Sequence, residues 1–147
     1  MFGVMNMPMG LSNEDYSYVK LYIILPLILT AFERDKKIIE RELKTPRPYV
    51  TLLDNAIKRV EDDHREVRRK FRVLGLKVYE EKRTVDGIYA RYLCRGYHYE
   101  FSMLWSLITA ESSVLMEKYL GLDIFKYINP AIPDDGHTYD VPSDVKQ

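Results

Sequence analysis

The fold is decided by residues 48–75, which read PYVTLLDNAIKRVEDDHREVRRKFRVLG. Side chains for a buried seam recur there at alternating steps of three and four, the spacing of one helix face: Tyr49, Leu53, Ala56, Val60, His64, Val67, Phe71 and Leu74. Thr45-Pro46-Arg47-Pro48 stands before this run and Gly75 follows it. Proline disfavours helix in the residue before it and glycine commonly ends a helix, so the sequence predicts one long amphipathic helix between these limits.

After Gly75 the period of apolar residues changes to two, which predicts a β-hairpin with strands at residues 76–83 and 88–95. A two-residue Asp-Gly turn would set Lys82 opposite Arg91, and like charges in that position destabilise a sheet. A four-residue loop at 84–87 avoids this contact. It pairs Glu80 with Arg91, Tyr79 with Tyr92 and Val78 with Leu93, and this is the register we expect.

Upstream, an N-terminal helix is predicted from about Ser12, through the apolar run at residues 21–32, to Lys44. A dozen apolar residues span about 18 Å of helix, against roughly 30 Å for a membrane's hydrocarbon layer. We therefore expect a buried core helix and no membrane insertion, with an interfacial membrane segment as the alternative. Pro26 is expected to kink or divide this helix.

Downstream of the hairpin, a long C-terminal helix is predicted from about Tyr97 or Tyr99 to Leu120, with Gly121 as its end. Few of its residues suit contact with water, so it is either central to the core or the seam of a dimer. We expect a homodimer, and the candidate dimer or partner interface is its apolar face: Phe101, Leu104, Trp105, Ile108 and Leu115.

Together these elements predict a mainly helical α+β fold: a kinked N-terminal helix, a long amphipathic helix, a β-hairpin, a long C-terminal helix and a flexible acidic tail. The expected organisation is a flexible leader (1–13), a single α+β domain (14–128) and a disordered acidic tail (129–147), which has little to bury. The 147 residues include one cysteine, Cys94, which excludes an intrachain disulfide. We expect a cytoplasmic protein.

Charge is unevenly distributed, although 22 basic and 22 acidic residues cancel overall. Residues 58–95 carry 12 basic and 7 acidic groups, while residues 96–147 carry 3 and 8. The basic segment is typical of phosphate binding, because convergent positive charge attracts the nucleic-acid backbone. The candidate DNA-contacting residues are Lys58, Arg65, Arg69 and Arg72 on the helix, with Arg83 and Arg91 on the hairpin. A solvated, salt-bridged helix face is the alternative, as is mutual contact of the basic and acidic segments.

Over roughly residues 16–120, the order of the predicted elements is similar to that of a winged helix-turn-helix domain followed by a dimerising helix. This resemblance implies a DNA-binding dimer that uses the basic helix and the hairpin. It concerns element order alone.

No common catalytic motif is present, so we expect neither an enzyme nor a cofactor. Glu61 and His64 are three apart, as in di-iron bundles, but the chain has no second Glu-x-x-His, so no metal is expected. Cys94 and His98 form no recognisable dyad by spacing. The leading hypothesis is a small intracellular regulatory protein that binds DNA. The alternative is a non-enzymatic protein-interaction, inhibitor or assembly protein that uses the apolar C-terminal helix and the acidic tail.

Overall fold

The computed structural model describes residues 12–122 and 124. Its elements, in chain order, are α1 (Asn13–Glu42), α2 (Arg47–Leu74), β1 (Leu76–Arg83), β2 (Gly87–Cys94), β3 (Tyr97–Leu104) and α3 (Trp105–Tyr119). The predicted mainly helical α+β class is confirmed. Nearly all of the predicted leader lies outside the described residues, and so does the acidic tail from residue 129 onward.

Helix α1 is capped and continuous. The Ser12 hydroxyl accepts a hydrogen bond from the Asp15 backbone N–H at 3.1 Å, and the Asp15 carboxylate accepts one from the Ser12 N–H at 3.0 Å. This reciprocal pair satisfies two of the donors that a helix start leaves free. Pro26 lies inside the helix without dividing it, so the expected division does not occur.

The burial of α1 makes it the central element of the core. Its fully buried side chains include Val19, Leu25, Ile28 and Phe32. Among the described helices, α1 is long and apolar enough to cross a membrane, with a mean hydropathy of 1.3 over 18 residues. However, 56% of that window is buried inside the protein, as expected for a core helix. The absence of membrane insertion stays a prediction.

Helix α2 has the limits that the sequence predicts, with Gly75 ending it in the left-handed region at φ 68°. Its seam packs against α1, where the rings of Tyr22 and Phe71 stack at 4.5 Å. At the other end, Lys36 of α1 contacts Asp54 of α2 at 2.7 Å, so the two helices run antiparallel. Residues 33–52 lie where α1 connects to α2, at the tip of this pair of helices, and Tyr49 is 52% exposed there.

The sheet is antiparallel in the order β1-β2-β3. Glu80 pairs with Arg91 as predicted. A bulge between Val78 and Glu80 leaves Tyr79 without a paired residue on β2, so that Val78 pairs with Tyr92. The predicted pairs of Tyr79 with Tyr92 and of Val78 with Leu93 are therefore wrong by one residue, because a bulge adds a residue to one strand only.

The predicted start of the C-terminal helix at Tyr97 or Tyr99 is wrong, because residues 97–104 form a third strand. Arg95 (φ 49°) and Gly96 (φ 88°) both adopt left-handed backbone and reverse the chain after β2. In β3, Tyr99, Phe101 and Met103 are buried while the residues between them are exposed. Helix α3 begins only at Trp105.

The observed element order departs from a winged helix-turn-helix domain at two points. The resemblance has two helices before the basic helix only if Pro26 divides the N-terminal helix, whereas α1 is continuous, and the hairpin is extended by β3. The observed element order therefore does not support the resemblance. Nucleic-acid binding stays a prediction that depends on the charges of the protein surface.

Candidate functional site

A cleft on the surface of α2 brings four arginines together. Its volume is about 480 Å³, and its described lining belongs wholly to α2: Arg59, Asp62, Asp63, Arg65, Glu66, Arg69 and Arg72. Steps of three and four residues place these side chains on neighbouring parts of one helix surface. Arg59 and Arg72 are thirteen residues apart, which corresponds to about 20 Å along the helix axis. We call this surface the arginine cleft.

Two arginines of the cleft form ion pairs with acids one turn earlier. Arg65 Nη1 lies 2.9 Å from Asp62 Oδ1. Arg69 Nε donates to Glu66 Oε1 at 3.0 Å, and its Nη2 donates to Glu66 Oε2. The hydrogen bonds from Arg69 hold the pKa of Glu66 below its usual value. Arg72 forms no ion pair with any described residue.

The end of α3 fixes one wall of the arginine cleft. Arg59 Nη1 donates to the Tyr119 carbonyl oxygen at 2.8 Å. The Tyr119 hydroxyl donates to Asp63 Oδ2 at 2.8 Å, and both of these side chains are buried. Burial and the Asp63 charge raise the pKa of Tyr119, so this tyrosine stays protonated. Asp63 is thereby turned toward α3, which leaves Asp62 and Glu66 as the accessible acids of the cleft.

The structure brings together three of the six predicted DNA contacts: Arg65, Arg69 and Arg72. Lys58 is exposed on the same helix but does not line the cleft. Arg83 ends β1, and Arg91 lies on the exposed face of the sheet, 3.7 Å from Glu80. Neither of these two residues lines the cleft. The sequence prediction did not include Arg59 among the contacts, although Arg59 lies three and four residues before Asp62 and Asp63 on the same helix.

The predicted interface along the C-terminal helix is wrong for three of its five residues. Phe101 is 0% exposed in β3, and Ile108 and Leu115 are 4% and 2% exposed in α3, so all three belong to the protein's own core. Trp105 is half-buried and donates from Nε1 to the Thr84 carbonyl oxygen at 2.8 Å. Leu104 alone of the five is well exposed, at 61%.

Cys94 and His98 lie on opposite faces of the sheet. Cys94 is buried, with Sγ 3.8 Å from Asp15 Oδ2, and burial together with the Asp15 charge raises the pKa of its thiol. His98 is exposed, and its Nδ1 lies 2.9 Å from the Tyr79 hydroxyl. The two residues therefore form no nucleophile and base pair.

The Glu61 and His64 spacing also leads to no metal site in the described part of the chain. No group of three His, Cys, Asp or Glu residues lies close enough there to hold an ion. His64 instead lies 6.0 Å from the Tyr22 ring, and burial together with the Arg68 charge lowers its pKa. A neutral ring between two helices is the role that the structure gives it.

A known protein family matches nearly the same part of the chain as the described fold. Residues 10–124 match the family described as YhjD protein. The chain belongs to this family. A YhjD relative from Bacillus subtilis (strain 168), described as uncharacterized protein YhjD, is 28% identical over 112 residues, which covers 76% of this chain and 93% of the relative. No solved structure matches the chain. The family match includes the whole arginine cleft.

Proposed function

We propose that this protein is a small, non-enzymatic regulatory protein that binds the phosphate backbone of DNA through the arginine cleft of α2. The observation that supports the proposal is the convergence of Arg59, Arg65, Arg69 and Arg72 around one cleft. Guanidinium groups suit this role because their planar set of N–H donors matches the oxygens of a phosphate. A cytoplasmic location and a homodimer remain predictions that accompany this proposal.

The ion pairs inside the cleft are compatible with phosphate binding. The side chains of Arg65 and Asp62 are 67% and 52% exposed, and those of Arg69 and Glu66 are 51% and 30% exposed. Exposed pairs of this kind contribute little to stability, since water and salt screen them. An incoming phosphate therefore replaces Asp62 or Glu66 as the partner of an arginine at small loss. Arg72 is available without any such exchange.

The test is fluorescence anisotropy of a labelled random duplex, titrated with the protein at about 50 mM and about 200 mM salt. Four arginine contacts predict that log K falls with log salt at a slope of about −3.6, so binding weakens roughly 150-fold between the two conditions. Arg59 also anchors α3, so the test substitutions are Arg65→Gln, Arg69→Gln and Arg72→Gln. Each should reduce the slope by about one.

Arg47→Gln is the matched control, since it removes the same charge from the opposite end of the same helix. It should leave both the affinity and the slope nearly unchanged. Absence of duplex binding at both salt concentrations would refute the proposal. An effect of Arg47→Gln equal to that of Arg72→Gln would also refute it, because binding would then reflect overall charge and not the cleft.

The alternative, an inhibitor or assembly protein that uses the C-terminal helix and the acidic tail, has less structural support. The apolar residues of α3 that suggested it are mostly buried against the rest of the protein. If the anisotropy experiment fails, affinity capture with the full chain becomes the next measurement, and a partner would have to contact the remaining exposed apolar residues, such as Leu104 and Leu107.

A further inference from the structure

The structure gives the arginine cleft a candidate occupant within the same chain. We propose that residues 125–147 dock on the arginine cleft through their aspartates and compete there with phosphate. The competition rests on the proposed function, whereas the docking itself does not. Three observations support the proposal: the place where the described chain ends, the length of the segment, and its charge.

The described chain contacts the cleft lining shortly before the segment begins. Tyr119 is joined to Asp63 and Arg59, both of which line the cleft, by hydrogen bonds of 2.8 Å each. Five residues later, Ile124 is buried, with 7% of its surface exposed. The segment therefore begins six residues after a direct contact with the cleft lining.

The length of the segment is ample for this contact. Its 23 residues reach up to about 80 Å when extended, at roughly 3.4 Å per residue. The cleft extends about 20 Å along α2. A tether of this kind gives an effective concentration in the millimolar range, so that contacts of low intrinsic affinity are enough to occupy the cleft for much of the time.

The charge of the segment complements that of the cleft. Four aspartates, Asp134, Asp135, Asp140 and Asp144, stand against two lysines, Lys126 and Lys146, a net charge of −2. The cleft has four arginines, and Asp63, one of its three acids, is turned toward Tyr119. Aspartate carboxylates accept the same paired N–H donors as a phosphate, so the two ligands exclude each other on an arginine.

The test compares the full chain with a variant that carries Asp134→Asn, Asp135→Asn, Asp140→Asn and Asp144→Asn. Docking is measured without nucleic acid, from the ¹H–¹⁵N resonances of the arginine Nε–H groups. Those of Arg59, Arg65, Arg69 and Arg72 should differ between the two proteins at about 50 mM salt and converge at about 500 mM, while Arg47 stays constant, because salt screens the contact.

Competition is measured on the same two proteins by duplex anisotropy. The asparagine variant should bind the duplex at least about threefold more tightly, since the fraction of free cleft rises. The control carries Glu33→Gln, Glu40→Gln, Glu42→Gln and Glu81→Gln, four exposed acids outside the cleft, and so makes the same change in net charge. Its affinity should rise by less than that of the asparagine variant.

The outcomes separate the two proposals. Identical arginine resonances in both proteins overturn the docking, whatever the duplex does. Different resonances without any duplex binding support the docking and refute the proposed function. An equal gain in affinity for the control and the asparagine variant overturns the competition, because overall charge alone would then explain the gain.

Discussion

Lys20 and Glu111 form a buried ion pair between α1 and α3, and its removal gives a sharp test of the packing. Lys20 Nζ lies 2.9 Å from Glu111 Oε1, with the two side chains 5% and 8% exposed. Nζ makes no hydrogen bond of regular geometry with any described residue, so attraction between charges dominates. At an effective dielectric constant of about 20, that attraction is about 6 kcal/mol, and loss of water from both ions offsets much of it.

Removing one partner leaves the other charge buried and unpaired. We expect Lys20→Met and Glu111→Leu each to lower the free energy of unfolding by about 3–5 kcal/mol, and the double variant to lie within about 1 kcal/mol of the parent. Urea unfolding followed by circular dichroism at pH 7 measures all four proteins. These four proteins form a double-mutant cycle, which gives the coupling energy between Lys20 and Glu111.

The exposed pair Lys36 and Asp54 provides the comparison, since its 2.7 Å separation is similar while its side chains are 32% and 50% exposed. Solvent screening should make its coupling much smaller than that of Lys20 with Glu111. The reasoning is refuted if the two cycles give equal couplings, or if the losses of the Lys20 and Glu111 single variants simply add in the double variant.

Three further predictions concern single contacts. Tyr119→Phe should lower the free energy of unfolding by about 1–3 kcal/mol in urea, because Asp63 loses a buried donor, whereas Tyr97→Phe, at a side chain 68% exposed, should change it little. Burial opposes the ionisation of Asp15, but hydrogen bonds from Arg95 and Ser12 outweigh it and lower the pKa of Asp15. This contribution to stability is therefore complete above about pH 4 and is lost as pH falls toward the folded-state pKa; Asp15→Asn should flatten acid unfolding in that range, and an unchanged profile would contradict the assignment. Cys94 is 1% exposed and its thiol pKa is raised, so an aromatic disulfide reagent should label it only as fast as the protein unfolds, and rapid labelling of the folded protein would disprove its burial.

The sequence predicted the fold correctly where the apolar residues follow a single periodicity. The seam of α2 has a single spacing, and Gly75 ends the helix where the backbone has to turn left-handed. In residues 97–108 two periods coexist. Phe101, Leu104 and Ile108 match a helix, whereas Tyr99, Phe101 and Met103 match a strand. Sequence alone could not choose between them.

The turn at Arg95 and Gly96, which makes residues 97–104 pair with β2 as a strand, has only a weak signal in the sequence. Tight hairpin turns with two left-handed residues favour asparagine or aspartate before glycine. Here Arg95 takes the first position. Its side chain makes up for the unfavourable backbone, because it donates to Asp15 Oδ2 at 2.7 Å and to the Leu74 carbonyl oxygen at 2.8 Å. Tertiary contacts of this kind cannot be inferred from local spacing.

The candidate site was predictable where it depends on one helix. Arg65, Arg69 and Arg72 share a face of α2 by spacing alone. The role of Arg59 depends on Tyr119, which is 60 residues away in sequence. Arg83 and Arg91 were assigned to the same surface from charge, but they do not line the cleft, and this depends on how the sheet packs.

The central position of α1 has a consequence for the order in which the protein is made. Among the described elements this helix is synthesised first, and those that cover it follow later: α2, the sheet and finally α3. Arg95, the partner of Asp15, follows it by 80 residues, and Glu111, the partner of Lys20, follows it by 91. The apolar run at residues 21–32 therefore stays uncovered until these later elements are synthesised, which makes the nascent chain a substrate for chaperones that bind apolar segments.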